Sequence, residues 1–227
     1  MWPFGSKRAS RRALLPLCLL APLLGCRDVR TSALAGRDAD ETRALAAANG
    51  EAERRGDTLR IDGAGAGSTL LVDDTTGGED YRSLRYDGRI PGTLFHGVRV
   101  GYFEGRAYLL VHERTGKQVR LDARPMPSPS AKWLATASFD LEAAFDPNAL
   151  EIVAPVDDTV RTVFRVDPAR WGPDSIAWRG DDTLVVVQRW VTDSGPGHYE
   201  RREAFVARQG DTWSLQPPDT ASAGAGP

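Results

Sequence analysis

Apolar positions change their spacing several times along the chain. From Ala13 to Leu24 they form an almost unbroken run, interrupted by Pro16, Cys18 and Pro22. From Arg27 to Gly56 large apolar residues nearly vanish, and Ala, Arg, Asp and Glu take over. From residue 57 to 216 they return as short runs separated by Gly, Pro and Asp, and the chain ends on a Pro-, Ala- and Gly-rich tail. This pattern divides the chain into a leader (1–25), a spacer (26–56), one β domain (57–216) and a disordered tail (217–227).

Within the domain the runs read as strands. Thr69 to Val72 is followed by Asp73, Asp74 and Gly77-Gly78. Val98 to Phe103 is followed by Glu104-Gly105 and then Ala107 to His112, and Arg114-Thr115-Gly116 leads to Gln118 to Leu121. Runs of this length broken by turn residues predict antiparallel hairpins and meanders, with no long amphipathic helix between them to build a parallel sheet. In the spacer, Asp38 and Glu41 form a capping pair, Ala39 to Ala48 has high helix propensity, and Asn49-Gly50 is a stop. With Leu45 as its main apolar group, this helix has no stripe to bury and is expected to lift the domain off a membrane.

Two segments of the second half repeat at an offset of 50 residues: Ser128 to Ala135 and Trp178 to Val185, each a turn followed by a buried-type strand. Further strands follow in both units, Leu150 to Val153 and Val160 to Val166 in one, Glu203 to Ala207 and Thr212 to Leu215 in the other. Repeats of this length are of the size of propeller blades. Pro127 to Ser138 resembles the Ser-Pro-Asp-Gly-Lys turn and apolar strand of TolB-like bacterial propeller repeats, with Ser130 and Ala131 in place of the Asp and Gly. The span from Tyr81 to Leu215, above all Ser138-Phe139-Asp140-Leu141-Glu142 and Asp146-Pro147-Asn148, is similar to an uncharacterised group of proteobacterial secreted and lipoprotein sequences, which implies no activity. The 160 positions of 57–216 hold little more than three units of 50, and closed propellers need about four blades or more. The expected fold is therefore all-β, an incomplete β-propeller-like array of antiparallel meanders, with a twisted β-sandwich as the alternative.

The apolar run of the leader is too short to span a bilayer, and Lys7, Arg8, Arg11 and Arg12 precede it with no acidic residue before Cys26. These are the marks of a secretory signal peptide. Leu23-Leu24-Gly25-Cys26 further resembles the lipobox of bacterial lipoproteins. That resemblance implies cleavage before Cys26 and a diacylglycerol on its thiol, anchoring the chain by acyl chains. By the same likeness Arg27, which is not the aspartate of inner-membrane retention, favours the outer membrane facing the periplasm.

Removing residues 1–25 leaves 202 of 227, and with four of the 29 basic residues gone against 31 acidic ones the formal charge is −6. Nothing in that balance suggests nucleic acid as a partner. Both cysteines are accounted for, Cys18 in the leader and Cys26 at the lipid, so the domain has no disulfide, cysteine nucleophile or cysteine-bound metal.

Candidate chemistry is sparse. His96, His112 and His198 lie in separate segments without metal-ligand spacing, His96 and His198 in expected loops. Gly63-Ala64-Gly65-Ala66-Gly67 lacks the Lys-Ser or Lys-Thr ending of a phosphate loop. Trp133, Trp171, Trp178, Trp190 and Trp213 are expected in the core, with Trp171 and Trp190 the better placed for exposure and stacking. One polar cluster stands out, the loop carrying Asp140, Glu142, Asp146 and Asn148. Its oxygens suit a hard cation such as Ca2+, or Asp146 and Asn148 cap backbone amides around Pro147. The expectation for function is a membrane-tethered envelope lipoprotein that binds a protein or glycan without catalysis. The alternative is a hydrolase of envelope polymers working through the loop carboxylates.

Overall fold

The computed structural model describes residues 39–63, 67–192 and 197–216. The leader with Cys26, the spacer up to Asp38 of the expected capping pair, residues 64–66, residues 193–196 and the tail from 217 lie outside the described residues. Among the described residues a short helix, α1 (residues 39–47), is followed by fifteen strands in four antiparallel sheets, each a meander of consecutive strands. Sheet 1 holds β1 (Ala52–Arg55), β2 (Thr58–Gly63) and β3 (Gly67–Val72). Sheet 2 holds β4 (Arg82–Arg89), β5 (Phe95–Tyr102), β6 (Arg106–His112) and β7 (Gln118–Leu121). Sheet 3 holds β8 (Met126–Pro127), β9 (Leu134–Ser138), β10 (Ala149–Val156) and β11 (Thr159–Val166). Sheet 4 holds β12 (Trp171–Trp178), β13 (Thr183–Val191), β14 (Tyr199–Gln209) and β15 (Thr212–Gln216).

The sheets bury their faces in series. Leu59, Ile61 and Leu71 of sheet 1 pack on Leu84, Tyr86, Val98, Val100 and Val111 of sheet 2. Phe95, Tyr108, Leu110 and Leu121 of sheet 2 pack on Leu134 and Val153 of sheet 3. Ala135, Leu150 and Ile152 of sheet 3 pack on Trp171, Leu184, Val186, Val206 and Trp213 of sheet 4. The period of two makes this possible: along β6, Ala107, Leu109 and Val111 face sheet 1 while Tyr108 and Leu110 face sheet 3. A strand buried on both faces reads as a continuous apolar run, and Ala107 to Val111 does. The offset of 50 superposes β8, its turn and β9 on β12, its turn and β13. β8 is short because Pro125, Pro127 and Pro129 surround Met126, and proline cannot donate to a ladder.

The boundary at 56/57 is corrected. β1 lies inside the span read as spacer, and α1 packs Ala44 and Leu45 against the first apolar layer. The helix lacks a wide stripe, yet its Glu41 is only 5 % exposed. That carboxylate accepts the Tyr86 N–H at 2.8 Å and the Arg54 guanidinium at 2.9 Å. Asp73 accepts the Leu84 N–H at 2.7 Å, and Arg54 donates to the Leu84 carbonyl. The free edge of β4 is thus closed by side chains instead of a strand, which satisfies backbone groups that would otherwise be orphaned.

Candidate functional site

The loop from Asp140 to Asn148 joins β9 to β10 between sheets 3 and 4. Asp140 organises it: one carboxylate oxygen accepts the N–H groups of Ala143 (2.9 Å) and Ala144 (3.0 Å), the other those of Phe145 (2.8 Å) and Asp146 (3.0 Å). Hydrogen bonds to the charged form favour it, and the Asp146 N–H, with its three neighbours, holds the Asp140 carboxyl down at about 2. Ala144 takes a left-handed φ of 56° to bring these amides round.

The other three residues point to three different neighbours. Glu142 reaches the β13–β14 hairpin, accepting the Tyr199 hydroxyl and the Gly197 N–H (2.9 Å), and these bonds lower its pKa in that order. Asp146 turns towards sheet 2, where it accepts the Arg106 backbone N–H and its Nε at 3.1 Å. Asn148 donates from Nδ2 to the carbonyls of Pro168 (2.6 Å) and Trp171 (2.8 Å). Their oxygens do not converge, and among the described residues no group of three or more His, Cys, Asp or Glu is arranged to hold a metal. The arrangement suits amide capping and cross-linking of sheets 2, 3 and 4. Neither Asp140 nor Glu142 is held as the protonated acid that glycoside hydrolysis needs.

Around the loop runs a belt of rings and guanidinium groups. Phe139 meets Tyr199 edge-on at 5.9 Å, and Arg189 lies 4.7 Å from the Phe139 centroid and 5.4 Å from that of Tyr199. Asp174 pairs through one oxygen with Arg189 and through the other with Arg201. Trp190, half-buried, stacks on Trp171 at 6.3 Å and carries Arg202 over its face at 4.8 Å. Trp171 is buried, contrary to the expectation of exposure, because β12 begins on it and aims it into the third apolar layer. His96 also departs from expectation: it sits in β5, buried, with Nδ1 2.9 Å from the Tyr86 hydroxyl. His112 is buried against the Phe95 ring.

A second place was not visible in the sequence. Between β3 and the face of sheet 2 opens a groove of about 370 Å3, lined by Leu70, Val72, Tyr102, Leu109, Gln118 and Arg120 among others. Leu70 is 60 % and Val72 45 % exposed. Among the described residues sheet 1 has three strands where the other sheets have four, and the groove lies alongside β3, its outer strand. The signal that could have found it is Leu70-Leu71-Val72, three consecutive large apolar residues of which only Leu71 enters the core.

The chain was also compared with known proteins. No protein-family model matches it, and no curated protein does.

Proposed function

We propose that this chain is a lipid-tethered module of the bacterial cell envelope that binds a partner protein. The tether is Cys26, the membrane is the outer one facing the periplasm, and the four serial meanders form an open, propeller-like array. The observation that carries the binding role is the groove beside β3, where exposed Leu70 and Val72 meet a half-covered sheet face. Apolar surface of this kind, rimmed by polar residues, is characteristic of protein contacts. A glycan face is less well supported, since it needs exposed coplanar rings and the five tryptophans of the second half pack into or beside the third apolar layer.

Two measurements on cells test this reading. Metabolic labelling with an alkyne palmitate should mark the chain, and Cys26→Ser should abolish label and membrane association. Reversible cross-linking should then yield one discrete complex that Leu109→Arg, which places a charge in the groove, removes without unfolding the chain. An unlabelled soluble product contradicts the tether. Turnover of envelope polymers by the purified chain, lost on Asp140→Asn or Glu142→Gln, would favour the hydrolase.

A further inference from the structure

The backbone of β3 says how a partner engages the groove. The Asp73 N–H donates to the Asp57 carbonyl at 2.9 Å, continuing the β2–β3 register of Thr58 opposite Val72. In an antiparallel ladder successive residues turn their N–H and C=O to opposite sides, so 69, 71 and 73 face β2 while 68, 70 and 72 face the other edge. The Val72 carbonyl confirms the direction, because the exposed Arg82 guanidinium reaches it from that side at 3.1 Å. At the far end Asp74 and Arg82 form a single antiparallel bridge. Beyond it β4 turns away to pair with β5, and among the described residues no strand lies along Ser68 to Val72 on that side.

The two strand edges at this junction are treated differently. That of β4 is closed by Glu41, Asp73 and Arg54, whereas β3 keeps an edge flanked by apolar side chains and an open groove. An added strand would run about 4.8 Å from β3 and lie over Tyr102 and Leu109. It would complete sheet 1 to the four strands of its neighbours. At the rim, Arg120 is exposed with its guanidinium 5.3 Å from the Tyr102 ring centroid, and among the described residues no carboxylate pairs with it.

Resting on the protein-binding reading above, we infer that the partner enters as an extended segment that pairs with β3 by strand addition, alternating apolar residues and placing an acidic side chain against Arg120. Main-chain hydrogen bonds to Ser68, Leu70 and the Val72 N–H, the Val72 carbonyl being held by Arg82, supply affinity and fix register, as in other strand-adding recognition modes. The alternating apolar residues fill the groove. The acidic residue selects the segment by charge, because a basic one would face Arg82 and Arg120.

Random dodecapeptides displayed on phage and panned on the full chain in detergent test this, with three variants. Leu70→Pro removes an N–H that faces the groove while leaving the bonds to β2, a position where an edge strand tolerates proline. Arg120→Glu reverses the rim charge on an exposed residue, and a melting curve checks that each variant is folded. The expected result is enrichment of peptides with period-two apolar residues and one Asp or Glu, bound at least about tenfold more weakly by both variants. Exchanging the acid for Lys should restore binding to Arg120→Glu, and N-methylation at alternate peptide positions should be harmful on one set only. Enriched peptides that bind both variants as well as the native chain, but not Leu109→Arg, overturn strand addition and leave the groove as a protein site. No enriched peptide at all counts against both. A native chain that is dimeric and becomes monomeric on Leu70→Pro makes a second copy the occupant and overturns the acidic-segment proposal.

Discussion

Glu41 on α1 and Tyr86 on β4, 45 positions apart, are joined by a hydrogen bond from the Tyr86 backbone N–H to the Glu41 carboxylate. The same oxygen accepts the guanidinium of Arg54, itself bound to the Leu84 carbonyl. One buried carboxylate thus holds the helix, the first sheet and the edge of the second together.

Glu41→Ala should therefore be among the most damaging single substitutions in the chain. It strands the buried Tyr86 N–H and removes one of the two carboxylates that face Arg54, Asp73 remaining at 3.4 Å, at a cost of about 1–3 kcal/mol. Glu41→Gln, which keeps an acceptor, should cost less. Urea midpoints of the two variants check this, and hydrogen exchange at the Tyr86 amide should rise in Glu41→Ala. If Glu41→Ala unfolds at the same urea concentration as the native chain, α1 is a spacer after all.

The reason this clamp is hidden in the sequence is physical. Helix burial is ordinarily announced by an apolar stripe, and α1 docks instead through one carboxylate, Ala44 and Leu45, with Ala48 buried just past its end. β1, β2 and β4 are obscured because they carry few large apolar residues, none in β1, Leu59 and Ile61 in β2, and Leu84 and Tyr86 in β4, set among charged ones. β5, β6, β9 and β10 are legible because sheets 2 and 3 bury both faces, which leaves apolar runs, whereas β8 and β12, interrupted by prolines, are not announced in this way. The loop after β9 stands out by its acidic residues, but their partners do not. Arg106 lies 40 positions before Asp146, and Tyr199 lies 57 after Glu142.

Asp140 gives a pH-dependent prediction. Its carboxyl is held at about 2 by the amides of the loop, below the ordinary value near 4. A depressed acid contributes stability above its unfolded pKa, and that contribution is lost as pH falls from about 4 through about 2. Carboxyl NMR titration should place the Asp140 midpoint near 2, and Asp140→Asn should speed amide exchange at Ala143 to Asp146 at neutral pH. A midpoint near 4 would show that the four amides do not hold the carboxylate in solution.

For calcium the expectation follows from the same geometry. Asp140 and Asp146 already accept N–H donors, so binding would require the loop to give up several hydrogen bonds. Melting curves with millimolar calcium and with chelator should coincide. A rise with calcium, abolished by Asp140→Asn and Asp146→Asn, would mean that the loop rearranges around an ion.

His96 supplies the opposite end of the acid range. Burial is the main cause of its lowered pKa, aided by Arg89, and the neutral ring meets the Tyr86 hydroxyl. The unfolded chain takes up a proton below about 6.5 while the folded one resists. Stability from this site is therefore full above that pH and declines below it, through the folded pKa. His96→Gln should flatten the loss of stability between pH 7.5 and 5.5 relative to the native chain, read from urea midpoints. An unchanged slope would assign the acid sensitivity to other groups.

The binding role itself is tested most directly by photo-cross-linking in intact cells from a benzophenone side chain placed at Gln118, exposed in the groove lining, and separately at Arg161, exposed on β11. The expected result is one adduct of defined mass in the membrane fraction from position 118 and none from 161. Equal adducts from both positions, or none from 118, would contradict a partner seated in the groove.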